Sequence, residues 1–558
     1  MRFSRFRTSV PRALGLGGAA AVAAGAAVAV LALPGWWPIL PRNVRAGVVE
    51  AALSGAILAR ALLALGAVAT LPLAWAAVRA RRRRRPAGRL GRLALLGASC
   101  LVALVMLEAG AAFVQARAHR FPDLPTSFPP EAPGTYRILV LGGSSALGEP
   151  YRPWISVGRI VAWKLQEAMP SRRFEVETLA WLGDSLEQQH KKLATIRRRP
   201  DAVVIYSGHN EFAARFEEDR AHEVGLESTS AAARLVHRLD AASPLLGLVR
   251  ELISKNRLDA PPSLRDRHQI IDPPLCAPAE YVAVLDDFAA RLDAIVGWCG
   301  RIGALPILII PPANEADYEP SRSTVAPEVD AAERARVTAA IQRARTLDDD
   351  EAVAIYRGVL RRRPGFAEAH YRLGERLRKQ GKMEEAAVEF LAALDHDGLP
   401  IRCQAPFREA YRRVAARRAG CLLIDGRRAL IAAAPSGLLG DEVIEDTHHP
   451  NLYGYVSLAS SVLSGLESRK VFGDDSSAIA TPDVAACVAR FGIDAARLAE
   501  ACDRTSLHYR RVAGYRHDPA ARLAESQRFA EAARRLRQGA AIDAVGLPAF
   551  APPGRRDR

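Results

Sequence analysis

One stretch constrains this chain more than any other: Tyr136-Arg137-Ile138-Leu139-Val140-Leu141-Gly142-Gly143-Ser144-Ser145-Ala146-Leu147-Gly148. A short apolar run of β-formers stops at two glycines and two serines. That is how a buried parallel strand delivers a small polar side chain to the carboxyl edge of an open sheet, where α/β folds bind ligands. The glycines permit a sharp turn and leave room beside a hydroxyl, which makes Ser144 a candidate nucleophile. Gly-Gly-Ser-Ser after a strand is more often a plain βα turn, so Ser144 needs partners elsewhere.

Asp446-Thr447-His448-His449-Pro450-Asn451, far downstream, contains Asp-x-x-His. A serine hydroxyl needs a base to attack. An imidazole serves near neutral pH, and a carboxylate orients it and stabilises its charged form. Asp446 and His449 supply both from one loop. Between these ends, Val203-Val204-Ile205-Tyr206-Ser207-Gly208-His209-Asn210-Glu211 is another buried strand, ending in Gly-x-Asn. Trp181-Leu182-Gly183-Asp184-Ser185 follows the strand-like segment 174–179. The Ser144 and Gly183 backbone N–H groups and the Asn210 amide are suitable donors for a developing oxyanion.

The four blocks (Ser144, Gly183, Gly208 with Asn210, and Asp446 with His449) resemble those of the SGNH (GDSL-like) hydrolases, in the order of that family. The resemblance covers roughly residues 134–470, less one insertion. It implies a three-layer α/β/α flavodoxin-like fold and a serine esterase working through an acyl-enzyme, or an O-acyltransferase if a hydroxyl resolves that intermediate. It implies Ser144, Asp446 and His449 as catalytic residues, Ser144, Gly183 and Asn210 as the oxyanion hole, and no metal or organic cofactor. Related extracytoplasmic domains act on O-acyl groups of cell-surface glycans, so a glycan or lipid acyl ester is the expected substrate. Gly143 departs from the Asp of the usual Gly-Asp-Ser. A catalytically inactive scaffold is the alternative from another class.

The formal charge of +16 resembles a nucleic-acid footprint, but its distribution argues otherwise. Residues 1–120 hold 17 Arg, no Lys and only Glu50 and Glu108, a balance of +15 that leaves +1 for the remaining 438 residues. Apolar stretches at about 13–33, 61–78 and 93–114 are long enough to span a bilayer. The arginines before the first and between the second and third place those ends in the cytoplasm. The expectation is a multi-pass protein of a bacterial inner membrane with its catalytic domain in the periplasm, and no nucleic-acid partner. Five prolines in residues 121–135 suggest an extended stalk.

Alternating strand and helix patterns over 136–329 and 401–475 predict a mainly parallel sheet. The intervening 330–400 read as helix upon helix. Ala367–Pro400 matches a tetratricopeptide repeat, with Leu373, Gly374, Ala386, Phe390 and Ala393 at the expected positions. The insertion is expected either to dock a protein partner or to pack as a structural element. Residues 476–558 predict a helical tail without an assigned function.

Some residues compete with these assignments. Glu445 and His448 repeat the Asp446–His449 spacing, but only His449 precedes Pro-Asn and a Gly-Tyr. His209 and Glu211 are expected to be solvated or structural, and no Cys/His spacing supports a metal site. Asp184 and Ser185 suit a helix N-terminus better than a nucleophile motif. Cys487 and Cys502 are the cysteine pair to examine for a disulfide.

Overall fold

A computed structural model describes residues 121–130, 134–213, 268–473 and 479–547, with Met106, Glu108–Gly110 and Asp475. The chain divides into two compact units. One, Met1–Arg120 with Glu217–Ala260, lies almost wholly outside the described residues; the other carries everything that follows.

The multi-pass membrane expectation is corrected here. A crossing requires about 20 continuous apolar helical residues. Among the described residues no helix is long and apolar enough to cross a membrane. The long helices that are described carry charged faces. The stretches 13–33, 61–78 and 93–114 lie outside the described residues apart from Met106 and Glu108–Gly110. The inner-membrane and periplasmic placement built on them is withdrawn. The helix expected over 231–255 also lies outside the described residues.

The second unit opens with β1 (Thr135–Gly142), the four-residue α1 (Ser144–Leu147), α2 (Val157–Ala168), β2 (Arg173–Thr178), α3 (Leu186–Leu193) and β3 (Ala202–Tyr206). It continues with α4 (Pro278–Ile302) and β4 (Leu305–Ile310). Four further helices follow: α5 (Ala331–Ala344), α6 (Asp349–Arg362), α7 (Ala367–Lys379) and α8 (Met383–Asp395). Then come α9 (Ala405–Arg417), β5 (Leu422–Asp425), α10 (Gly426–Ala433) and α11 (Leu452–Ser468). The tail forms α12 (Val484–Phe491), α13 (Ala495–Ala513) and α14 (Ala520–Arg537).

The five strands form one parallel sheet in the order β2-β1-β3-β4-β5. β1 and β3 are apolar on both faces because both faces are covered. Ile138, Val140 and Val204 join a core with residues of α2 and α11, whereas Leu139, Leu141, Val203 and Ile205 join another with residues of α3, α4 and α9. The architecture is α/β, with helices on each side of the sheet. The order reverses direction between β1 and β3, and open sheets bind ligands outside the strand ends at such a switch point.

Residues 331–395 fold as consecutive helices with a third core that includes Val337, Ile341, Tyr356, Phe390, Ala316 and Leu438. Phe390 lies so close to Gly374 that a Cβ there would sit 2.9 Å from its ring, so α7 and α8 approach tightly. Tyr371 donates to the Ala316 carbonyl (3.2 Å), tying α7 to the segment after β4. The Pro-rich segment does not stand clear as a stalk. Leu124 and Phe128 pack against the core that α4 shares, and Trp298 Nε1 donates to the Pro125 carbonyl (2.8 Å).

Candidate active site

Register brings the first two blocks together. Gly142 pairs with Tyr206, so the residues leaving β1 and β3 emerge side by side: Ser144 at the start of α1, and Gly208, His209 and Asn210 beyond β3. The contact is close. A Cβ on Gly143 would lie 2.3 Å from Asn210 Nδ2 and 3.2 Å from the Asp184 carbonyl oxygen. Only glycine leaves that space. Asn210 Nδ2 donates to Asp184 O (3.2 Å), so the β2–α3 loop is held against the same point. Gly183 immediately precedes Asp184 and is exposed, with a left-handed φ of 75°.

The Asp446–His449 loop arrives from the other end of the chain. It closes on itself through Glu445 N to His449 O (2.7 Å) and Asn451 N to Val443 O (3.1 Å). Asn451 caps α11 by accepting from Gly454 N (3.1 Å), and Asn314 N donates to Thr447 O (3.0 Å). Tyr455 reaches from α11 to donate to the Ser145 carbonyl (3.0 Å), which ties α1 to the same helix.

Within this frame His449 Nε2 lies 2.7 Å from Ser144 Oγ, and His449 Nδ1 lies 2.7 Å from Asp446 Oδ2. Asp446 Oδ1 also accepts from the backbone N–H groups of His448 (3.1 Å) and His449 (3.0 Å). All three side chains are buried. Burial alone would raise the Asp446 carboxyl. The His449 and His508 imidazoles and the hydrogen bonds it accepts hold it well below the usual carboxylate range instead. Burial works to lower His449, but the Asp446 carboxylate and its hydrogen bond prevail and raise it. The pair thus favours a proton on an imidazole beside a serine hydroxyl, the polarity that a general base needs.

The competing residues have other partners. Glu445 accepts from Tyr151 OH (2.8 Å) rather than pairing with His448. His448 Nδ1 meets Thr447 Oγ1 (2.8 Å), and burial first, with the neighbouring histidines, pushes it well below an ordinary histidine. His209 is buried, not solvated. Its Nδ1 accepts from Cys403 N (3.1 Å), and its ring stacks on His448 at 4.3 Å. Glu211 accepts from Leu186 N at 3.2 Å and from Ser207 Oγ at 3.2 Å, which satisfies the N-terminus of α3. Ser185 sits at the cap position of α3, its N–H donating to Gln188 Oε1 (2.8 Å), and Asp184 pairs with Lys192. Cys487 and Cys502 are both buried free thiols, not a disulfide.

Two contributors were not named as site residues by the sequence. Tyr455 belongs to the Gly-Tyr after the loop, yet its role on α1 depends on tertiary packing. His508 comes from α13 in the tail, and its Nε2 lies 2.9 Å from Thr447 Oγ1. Asp446, His449 and His508 bring one ligand atom each within 4.8 Å of one another, a spacing that fits a metal ion. Those atoms are already engaged with Ser144, Thr447 and each other. No family model, curated protein or solved structure matches this chain.

Proposed function

We propose that the chain is a serine esterase of the SGNH type, in which Ser144 attacks an ester carbonyl and forms an acyl-enzyme. The observation that carries this reading is the continuous line from Asp446 through His449 to Ser144, with 2.7 Å at each junction. His449 takes the Ser144 proton as the C–O bond forms, then gives it to the departing alcohol. Asp446 keeps the imidazole in the tautomer whose Nε2 accepts. The oxyanion is met by the Ser144 and Gly183 N–H groups and by Asn210, whose amide has a second hydrogen beyond the one given to Asp184. Water then attacks the acyl-enzyme, again through His449. If a substrate hydroxyl replaces water, the same residues perform acyl transfer. In this reading the sheet and its helices are the flavodoxin-like SGNH scaffold, and α5 to α8 are a tetratricopeptide-like insertion. Trp181 and Leu182, both exposed beside Gly183, offer apolar surface to the acyl or alcohol part of a glycan or lipid ester.

The test is turnover of short-chain p-nitrophenyl esters by the full chain and by Ser144→Ala. Loss of turnover to background, with an unchanged circular dichroism spectrum, is the expected outcome. Equal turnover by the two proteins would exclude Ser144 as nucleophile.

A further inference from the structure

The C-terminal helices reach the candidate active site. We propose that His508 is a positioning residue of that site: by holding Thr447 and bracing His449, it keeps the Asp446–His449 loop in the orientation that reaches Ser144. The proposal rests on the serine-esterase reading above.

Thr447 lies between Asp446 and His448. Its Oγ1 is 2.9 Å from His508 Nε2, 2.8 Å from His448 Nδ1 and 3.5 Å from Asp446 Oδ1. A hydroxyl has one proton and two lone pairs. It therefore accepts from at least one imidazole, and its proton goes to the other imidazole or to Asp446 Oδ1. That polarity suits two neutral rings, and burial, acting first on both, lowers His508 and His448 alike. His508 Nε2 is also 3.9 Å from Asp446 Oδ2, so it lies beside the carboxylate that orients His449.

The second contact is steric. The His508 and His449 rings meet edge to face, 5.2 Å apart at 79°. The His449 ring is thus bounded by Ser144 and Asp446 at its two nitrogens and by His508 against its ring. Without His508, the imidazole gains room to turn away from Ser144. A misplacement of about 1 Å in such a group costs on the order of a hundredfold in rate.

The third observation is that α13 is fixed at both ends, as a positioning element must be. Near its start Arg497 lies over the Trp154 ring at 5.3 Å, and midway along it Arg504 donates to the carbonyls of Pro150 (2.8 Å) and Arg152, all in the loop between α1 and α2. Just past its end, Arg516 lies 2.9 Å from Glu368 of α7 and 3.1 Å from Glu319, both buried. Arg522 at the start of α14 donates to the Glu319 carbonyl (2.8 Å). Burial alone would raise Glu368. Arg516 and Arg372 override it and hold the carboxylate ionised, so this anchor persists across the neutral range. His508 therefore projects from a strut that spans the loop after α1 and the insertion. The tail gains a role that its sequence does not announce.

The experiment compares the full-length wild type with His508→Ala, His508→Gln and Thr447→Val. It measures fluorophosphonate labelling rate against pH, kcat and KM on a p-nitrophenyl ester, and thermal melting. His508→Ala should lower labelling rate and kcat by roughly ten- to a hundredfold, with little change in KM. It should also shift the pH at which labelling is half-maximal, because His449 loses the ring that holds it against Asp446, the carboxylate that raises it. Glutamine carries an Nε2–H donor of similar reach and should restore most of the rate. Thr447→Val, nearly isosteric, should reproduce the loss even if His508→Ala does not fold. Labelling of wild type and Thr447→Val at the same rate and with the same pH profile would overturn the proposal, as would unchanged kinetics in a folded His508→Ala. Failure of the wild type to label would instead remove the nucleophile reading, and this proposal with it.

Discussion

Gly143 stands where an added methyl group tests the site without replacing any of its polar side chains. Its φ is −87°, outside the left-handed region, so Gly143→Ala brings no left-handed backbone penalty. The cost is contact. The new Cβ would sit 2.3 Å from Asn210 Nδ2, roughly 1 Å short of ordinary contact. The Asp184 carbonyl, 3.2 Å away on the same side, has little room to yield. The Asn210 amide must therefore move by about 1 Å, weakening its 3.2 Å bond to Asp184 O and leaving the place that the proposed mechanism gives it. Misplacing or removing one such donor costs about a hundredfold or more in kcat, or ~2.7 kcal/mol. The assay is kcat for a p-nitrophenyl ester in wild type, Gly143→Ala, Asn210→Ala and the double variant. If the methyl acts through Asn210, the two losses are far from additive, and Gly143→Ala adds little once Asn210 is gone. Wild-type kcat in a folded Gly143→Ala, or full additivity, would refute the reasoning.

Other outcomes follow from the same geometry. Asp446→Asn should cut kcat by about 10³- to 10⁴-fold, because the amide no longer holds the accepting tautomer of His449, with single-turnover kinetics as the check. Because His449 is raised, its proton persists to higher pH than on an ordinary histidine. Labelling of Ser144 should therefore rise through an apparent pKa above that of free imidazole, and stopped-assay labelling across pH 5–9 tests the direction. Glu445 is buried and its carboxyl is pushed up to about 7, by burial first and by Asp446, against the Tyr151 hydrogen bond. A raised carboxyl gives stability that is full below its usual value and lost as pH rises to about 7. Glu445→Gln should thus gain Tm relative to wild type as pH rises from about 4.5 to about 7, and a constant difference would contradict this.

Much of the sheet could be read locally. The apolar runs that open at Tyr136 and Val203 and stop at glycines lie in the first strand, Thr135–Gly142, and the third, Ala202–Tyr206. The blocks at Ser144, Asn210, Asp446 and His449 were visible because each follows a strand or precedes a helix with a recognisable cap. What stayed hidden depends on distant contacts. The four-residue α1 has too few residues for any periodicity. For His209 and Glu211 the sequence left a solvated and a structural role open, because a polar loop gives no sign of the Cys403 and Leu186 N–H groups that engage them. His508 has nothing in its local sequence to mark it; its helix is amphipathic like any other in the tail. The membrane expectation rested on composition in residues 1–120, almost all outside the described residues, and no described helix is long and apolar enough to cross a membrane.

The measurement that bears most directly on the account is peptide mapping after treatment of the full chain with a fluorophosphonate. One adduct is expected, on Ser144, absent from His449→Ala. An unmodified Ser144 in the folded protein, or an adduct on another serine such as Ser145 or Ser185, would contradict it.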